Sequence, residues 1–441
     1  LSSLRFQDHP RHFQAIRRAA LLAADPAQAV RRHLRLSRSA LHAGPHRIPL
    51  EPSARIWLVG LGKAAPAMSR AAAEILGDRL AAGLATVALH GPQGEVDPAA
   101  ANPPARVQLI LAEHPIPGPG SLRAGQAAAQ LLAAVQEVDL VVVLVSGGGS
   151  ALMELPLPGI RLQDLRSLNR QLLASGADIA EINRVRRALS QIKGGGLARL
   201  ARPARAVALI LSDVVGDRLS LVASGPTVLV GSDPAGARQI LRRRGLWRSA
   251  SDPIRRALEG GRSAGHRARR PVNVLVGSNR LMLQAAAEAA AGLGFQVRTV
   301  SHRMQGEARL VGARFAARLR RAPPGSCLVM GGETTVTLHG SGRGGRNQEL
   351  ALAASLELEG AAGGVIMSFA SDGVDGPTKA AGAVVHGGLP GLARSLGIDL
   401  AAALADNNAN PALQAVGALI QTGPTGTNLN DLVVGLAYGP D

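Results

Sequence analysis

Residues 139–150 read DLVVVLVSGGGS, and the six aliphatic residues from Leu140 to Val145 set the reading of the whole chain. A short, continuous, valine-rich run suits a parallel strand covered on both faces, where no alternation of polar and apolar side chains is needed. The run ends in three glycines and a serine, and a helical pattern follows. Glycines let backbone N–H groups approach a ligand closely, and a helix that starts there points its positive end at an anion. Working outward, RIWLVG (55–60) runs into Gly-Leu-Gly-Lys-Ala and an alanine-rich helix, the layout of a strand-turn-helix unit. ATVALH (85–90), VQLILA (107–112) and AVALILSD (206–213) read as further strands.

The first 45 residues read as two alanine- and arginine-rich helices, the second opening at Asp25-Pro26 with a cap and a first-turn proline. Residues 232–270 are looser and more charged, and are expected to connect two domains, 1–231 and 271–441. The second series starts with NVLVGSN (273–279) and continues through FQVRTVS (295–301), SCLVMGG (326–332), TTVTLHG (334–340) and GVIMSFAS (364–371). Strands alternate with helices in both halves, so the expectation is an α/β protein of two three-layer α/β/α domains.

Composition narrows the function. A chain of 441 residues exceeds what one core serves, and no apolar run reaches the roughly 18 residues of a membrane helix. The first residues lack the layout of a signal peptide, and the single Cys327 cannot form an internal disulfide, so a reducing cytoplasm is expected. A formal charge of +18 invites nucleic acid, but eight aromatic residues and scattered arginines offer no stacking platform, so specific nucleic-acid binding is not expected. Of 49 basic residues three are lysines, Lys63, Lys193 and Lys379. Where arginine fills nearly every cationic position, a retained lysine marks a place where a compact ammonium cannot be exchanged for a planar guanidinium.

The chemistry sits just after the strands, where open α/β sheets bind ligands. Ser146, Gly147, Gly148, Gly149 and Ser150 form one anion loop, and Lys63 stands beside a second glycine turn. That turn is neither GxxxxGK[ST] nor a full dinucleotide fingerprint, because its third glycine and the distal acid are missing. INRVRRALSQIKGGGLA (182–198) places Arg184 and Arg187 on a basic helix closing at Lys193 and three glycines, another candidate anion cradle. Asp213 ends a strand, with Asp217 four residues on, and carboxylates there suit Mg2+ shared with phosphate and water. In the second half Glu333, Arg346, Asp372 and Asp375 follow strands, and GPTGTNLNDLVV (423–434) adds Asn428, Asn430 and Asp431. Anion loops, cations and metal-type carboxylates are what phosphoryl transfer requires. Zinc-type Cys/His spacing is absent and Cys327 lies inside an apolar strand.

These motifs, with GLGKAAPAM, VSGGGSALM, SDVVGD, ASGPT, GGETTVTLHGSGRGGRNQELALA and SDGVDGPTKAAGA, together resemble the glycerate 2-kinase family, whose C-terminal domain is called MOFRL. The resemblance runs from about residue 13 to Asp431. It implies a Rossmann-like N-terminal domain and a MOFRL-type C-terminal domain with a cleft between them, and phosphorylation of D-glycerate at its 2-hydroxyl by ATP with Mg2+. By motif, Lys63 and Arg346 are expected to engage substrate and the moving phosphate, with Glu333 and Asp372 close by. Asp213, the SGGGS loop and Lys193 are expected at the nucleotide and metal site. The general base stays open among Asp213, Asp372 and His114. The family often carries Asp in the HPxP stretch where this chain has Gly118. Its members have often been labelled hydroxypyruvate reductase, so an NAD(P)H-dependent reductase is the alternative reading.

Overall fold

A computed structural model of the chain describes residues 4–90, 95–96, 103–261 and 270–439. They fall into two compact units, one of Pro26–Val214 with Arg218–Val276, the other of Leu1–Asp25, Val215–Asp217 and Gly277–Asp441.

In the first unit a small antiparallel sheet of β1 (Leu34–Leu36), β2 (Ala40–Ala43) and β3 (His46–Pro49) follows helix Pro26–His33. The sequence reading missed this sheet, having assigned the first 45 residues to two helices. The main sheet comprises β4 (Ile56–Leu61), β5 (Leu80–His90), β6 (Glu95–Val96), β7 (Val107–Glu113), β8 (Leu140–Val145), β9 (Arg205–Ser212) and β10 (Val272–Ser278). Its order is β10-β9-β8-β4-β5-β6, with β7 also paired to β5. The β4–β5, β4–β8, β5–β7 and β8–β9 pairs are parallel, and β6 is antiparallel to β5. All six residues of β8 are buried, as its unbroken aliphatic run requires. Val59, Val141, Val143, Ala208 and Ile210 pack with Ala124 and Ala128 of helix Pro119–Leu132 on one face. On the other face Gly60 lies against Ser69 and Ala65 of helix Ala65–Leu76.

Of the stretch 232–270, expected as a connection, residues 262–269 lie outside the described residues, and the rest carries two helices packed into the first unit. Its helices Pro234–Arg243 and Asp252–Glu259 bury Ala237, Ile240, Leu241, Ile254 and Leu258 in one apolar cluster with Leu165, Leu168, Leu172, Ile182 and Val185. The strand expected to open the second domain, β10, adjoins β9 instead.

The second unit holds β11 (Gln296–Met304), β12 (Ser326–Gly332), β13 (Gly364–Ala370), β14 (Gly382–His386), β15 (Leu419–Ile420) and β16 (Asp431–Ala437), in the order β11-β12-β16-β13-β14-β15. β11 and β12 are parallel and the remaining pairs antiparallel. Successive residues serve opposite faces. Leu328, Met330 and Ile366 pack with Phe315, Leu319 and Leu350 of helices Ala308–Arg320 and Arg346–Glu357. Gly331 backs onto Leu283 of helix Asn279–Gly292, and Met367 shares a cavity wall with Phe13 of helix His9–Ala24. That N-terminal helix therefore belongs to this unit, where His12 Nδ1 meets the Tyr438 hydroxyl at 2.9 Å. TTVTLHG (334–340) is no strand. After a single bridge at Thr335, whose N–H donates to Gly306 O at 2.9 Å, donors turn to side chains: Thr337 N–H donates to Glu307 and His339 N–H to Asn407 Oδ1, at 3.0 and 2.7 Å.

Candidate active site

At the carboxyl edge of the first sheet two glycine turns interlock. Lys63 N–H donates to Gly147 O at 2.9 Å, Ala64 N–H to Ser146 Oγ at 3.1 Å, and Gly62 N–H to Thr86 Oγ1 at 3.1 Å. Gly148 adopts φ +79°, and a Cβ placed there would stand 3.1–3.2 Å from the His114 ring and 3.2 Å from Lys63 Cγ. A Cβ on Gly147 would collide with the Asp213 carboxylate. Lys63, His114 and Asp213 thus converge on one loop whose backbone they can approach only because it lacks side chains. Ser150 Oγ lies 2.9 Å from Ser224 Oγ, and Ser224 donates to Asn183 Oδ1 at 2.6 Å. Ala223 and Ser224 take φ +48° and +62°, a conformation that costs non-glycine residues energy and accumulates at functional sites.

The second unit assembles its own set. β16 runs antiparallel between β12 and β13, so its first residue, Asp431, pairs with Gly332 and Ala370 at their carboxyl ends. Glu333 and Asp372 follow just beyond those ends. Arg346 opens its helix, and its guanidinium donates through Nε and Nη2 to Asp431 while Nη1 sits 2.8 Å from Glu333 Oε1. Burial pushes the Asp431 carboxyl up to about 6 although Arg346 pulls it down. Burial works against the Arg346 charge, but Asp431 and Glu333 outweigh it and raise its pKa. Asp375 caps the same helix from a separate loop, accepting from the Asn347 and Gln348 N–H groups at 3.0 and 2.9 Å. Asp372 Oδ1 accepts from Val374 N–H at 3.1 Å, and its carbonyl from Thr425 N–H at 3.1 Å, which ties this loop to the 423–430 loop.

Lys193 is placed elsewhere than the sequence reading expected. Its side chain is 1% exposed and ion-paired to Glu154, itself held by Ser190 Oγ–H at 2.5 Å. A sealed ammonium with a carboxylate already on it presents no charge to a ligand outside, which favours a structural part for this cation. Gly118 also gains an account. It precedes helix Pro119–Leu132, whose Gly120 and Ser121 N–H groups donate to the Glu113 carboxylate at 3.0 and 3.2 Å. Glu113, reaching over from β7, does the capping that an acid at 118 would do, and any Cβ at 118 would strike it. By sequence Asp431 is one polar loop residue among several, and its pairing with Arg346 emerges only in the fold.

Among the described residues no group of three His, Cys, Asp or Glu side chains could hold a metal ion. Asp213, one carboxylate against a phosphate-type loop, fits Mg2+, which takes one or two protein oxygens and fills the rest with phosphate and water. No helix of the described residues is long and apolar enough to cross a membrane.

Two glycine-rich sheet edges bearing a lysine, a forked arginine and carboxylates define an α/β phosphotransferase. The chain matches a domain of unknown function, DUF4147, over residues 12–259 and the MOFRL family over 326–431. It is 38% identical to D-glycerate 2-kinase of Thermotoga maritima over 87% of this chain and 90% of that one. It is 37% identical to glycerate 2-kinase of Pyrococcus horikoshii over 95% and 94%. The crystal structure of the T. maritima glycerate kinase superposes with a TM-score of 0.86 at 34% identity, covering 98% of this chain and all of that one. The chain belongs to the glycerate kinase family with DUF4147 and MOFRL domains.

Proposed function

We propose that this protein is a glycerate 2-kinase that transfers the γ-phosphoryl group of ATP to the 2-hydroxyl of D-glycerate, giving 2-phosphoglycerate and ADP. The observation that carries the reading is the convergence of Lys63, His114 and Asp213 on the Gly147–Gly149 backbone. The hydroxyl oxygen attacks the γ-phosphorus, the bond to the β-γ bridging oxygen breaks to leave ADP, and the hydroxyl proton passes to a base drawn from Asp213, Asp372 and His114. The protein's part is positioning and charge neutralisation. The SGGGS backbone receives the phosphates, Lys63 supplies a point charge to the migrating group, and Arg346, oriented by Asp431 and Glu333, engages the acceptor or the phosphoryl oxygens. Mg2+, held by Asp213, would offset phosphate charge.

A coupled ADP-release assay over a panel of hydroxy acids, with the product identified by phosphorus NMR, tests this. D-Glycerate with ATP and Mg2+ should give 2-phosphoglycerate, and chelation of the metal should stop it. NAD(P)H oxidation with hydroxypyruvate, without any need for ATP, would favour the reductase instead.

A further inference from the structure

Helix Ile179–Ala188 carries a cation that the phosphoryl-transfer scheme above leaves unused. Arg187 is partly buried, and among the described residues no carboxylate lies within ion-pair distance of it. Its one hydrogen bond among them is a weak one, Nη1 to Ser220 O at 3.4 Å. Burial, Arg184 and Arg218 all lower its pKa, so its neighbours are cations too. Arg184 differs in being held by Asp233, Nε to Oδ2 at 2.7 Å. A partly desolvated guanidinium with no carboxylate in ion-pair reach leaves donors open to an anion arriving from solvent.

Its position says which anion. One turn before Arg187, on the same face of the helix, Asn183 accepts from Ser224, which in turn meets Ser150 of the anion loop. Asn183 is 2% exposed, and its amide Nδ2 has no partner among the described residues, a second unsatisfied donor on that face. The Arg187 stem runs along Gly194, whose N–H donates to Ser224 O at 3.0 Å. Helix and anion loop are therefore fixed to each other through Ser224. Arg187 also lines a cavity of about 420 Å3 in which Arg184 and Arg243 stand beside the acids Asp178, Glu181 and Asp233, so the cationic patch is Arg187's own end of that cavity.

We propose that Arg187 binds the polyphosphate of the nucleotide as the outer cation of the SGGGS site, with Asn183 and Ser224 positioning its helix. A polyphosphate rather than a single carboxylate matches a guanidinium that has Arg218 and the Asp233-paired Arg184 beside it. The proposal rests on the kinase reading, but its test includes a binding measurement that does not need turnover.

Inorganic tripolyphosphate and ATP are titrated calorimetrically into wild type, Arg187→Gln and Arg187→Lys, and steady-state constants are measured for both substrates. A charge-assisted hydrogen bond is worth roughly 1.5–3 kcal/mol, about ten- to a hundredfold in affinity. Arg187→Gln should lose about that factor for tripolyphosphate and in KM for ATP, with KM for D-glycerate unchanged, and Arg187→Lys should recover part of it. Should Arg187→Gln melt early, the Lys variant carries the test, since it keeps the charge and loses the fork. Unchanged tripolyphosphate affinity in a folded variant, or a change confined to KM for glycerate, overturns the proposal. Loss of the kinase reading alone would show as wild type that binds tripolyphosphate through Arg187 yet forms no ADP with glycerate.

Discussion

The Arg346 guanidinium grips the Asp431 carboxylate with two parallel hydrogen bonds, Nε to Oδ2 at 2.7 Å and Nη2 to Oδ1 at 3.0 Å. A fork of this kind fixes the plane of the guanidinium as well as its place. Asp431→Asn removes one acceptor and the charge, and a misplaced catalytic group can cost on the order of 10²-fold. Steady-state kinetics should show kcat down by about that factor with KM for ATP little changed.

The same carboxylate makes the protein's pH response two-sided. Its folded pKa of about 6 stands above the ordinary 3.8, so the folded state holds the proton more tightly. Its contribution to stability is fully present below the ordinary value and is lost as pH rises through about 6. Activity runs the other way, because the fork needs the ionised form. The wild-type kcat profile should therefore carry an acid limb near pH 6, and Asp431→Asn should remove that limb. A limb that persists in the variant assigns it to another group.

The Lys63 stem and the His114 ring both close on Gly148, each within 3.2 Å of where a Cβ on that residue would stand. Lys63→Arg keeps the charge but asks for a wider planar head in the same space. Both Lys63→Arg and Lys63→Met should lower kcat by roughly 10²–10³, the usual cost of removing a transition-state stabiliser. Wild-type kcat in a well-folded Lys63→Arg would show that charge alone suffices there.

Lys193 and Glu154 form a sealed pair, 1% and 3% exposed at their side chains. Removing one member of a buried pair leaves the other uncompensated, which typically costs about 3–5 kcal/mol. Lys193→Met should lower the thermal midpoint sharply, with KM for ATP unaffected in whatever remains folded. The double variant Lys193→Met/Glu154→Gln should recover much of the midpoint, and a raised KM for ATP in the single variant would return Lys193 to the nucleotide site.

Glu113 caps helix Pro119–Leu132 across a gap that Gly118 keeps open. Glu113→Ala should cost about 1 kcal/mol, as loss of a cap generally does. Gly118→Asp by itself should destabilise, because its side chain meets Glu113, whereas added to Glu113→Ala, which removes the atoms it would strike, it should restore much of the lost cap. Thermal melts of the two single variants and the pair decide this.

The strands of the first sheet were legible because buried parallel strands announce themselves as unbroken aliphatic runs, Leu140–Val145 above all. The sheet edges were legible for the same reason, the runs stopping within a residue or two of a glycine, a carboxylate or another polar residue, as at Gly62, Ser146-Gly147 and Asp213. TTVTLHG misled because β-branched residues favour extended backbone but do not supply a partner, and the side chains of Glu307 and Asn407 took the donors instead. The sheet at residues 34–49 was hidden by its arginines and histidines. The rarity of lysine did mark Lys193 as hard to replace, but scarcity says nothing of whether a cation faces a ligand or the Glu154 carboxylate. The Arg346–Asp431 fork spans 85 positions, a distance no local pattern encodes.

The docking of helix His9–Ala24 on residues from 277 onward constrains how the protein comes off the ribosome. This helix emerges early, with Phe13 and Ile16 on an apolar stripe, yet the surfaces it covers, including that of helix Asn279–Gly292, are translated more than 250 residues later. At 5–20 residues per second that is a wait of roughly ten seconds or more. During that time the unit of Pro26–Val214 with Arg218–Val276 can fold around the β8 strand while helix His9–Ala24 remains a tethered amphipathic segment.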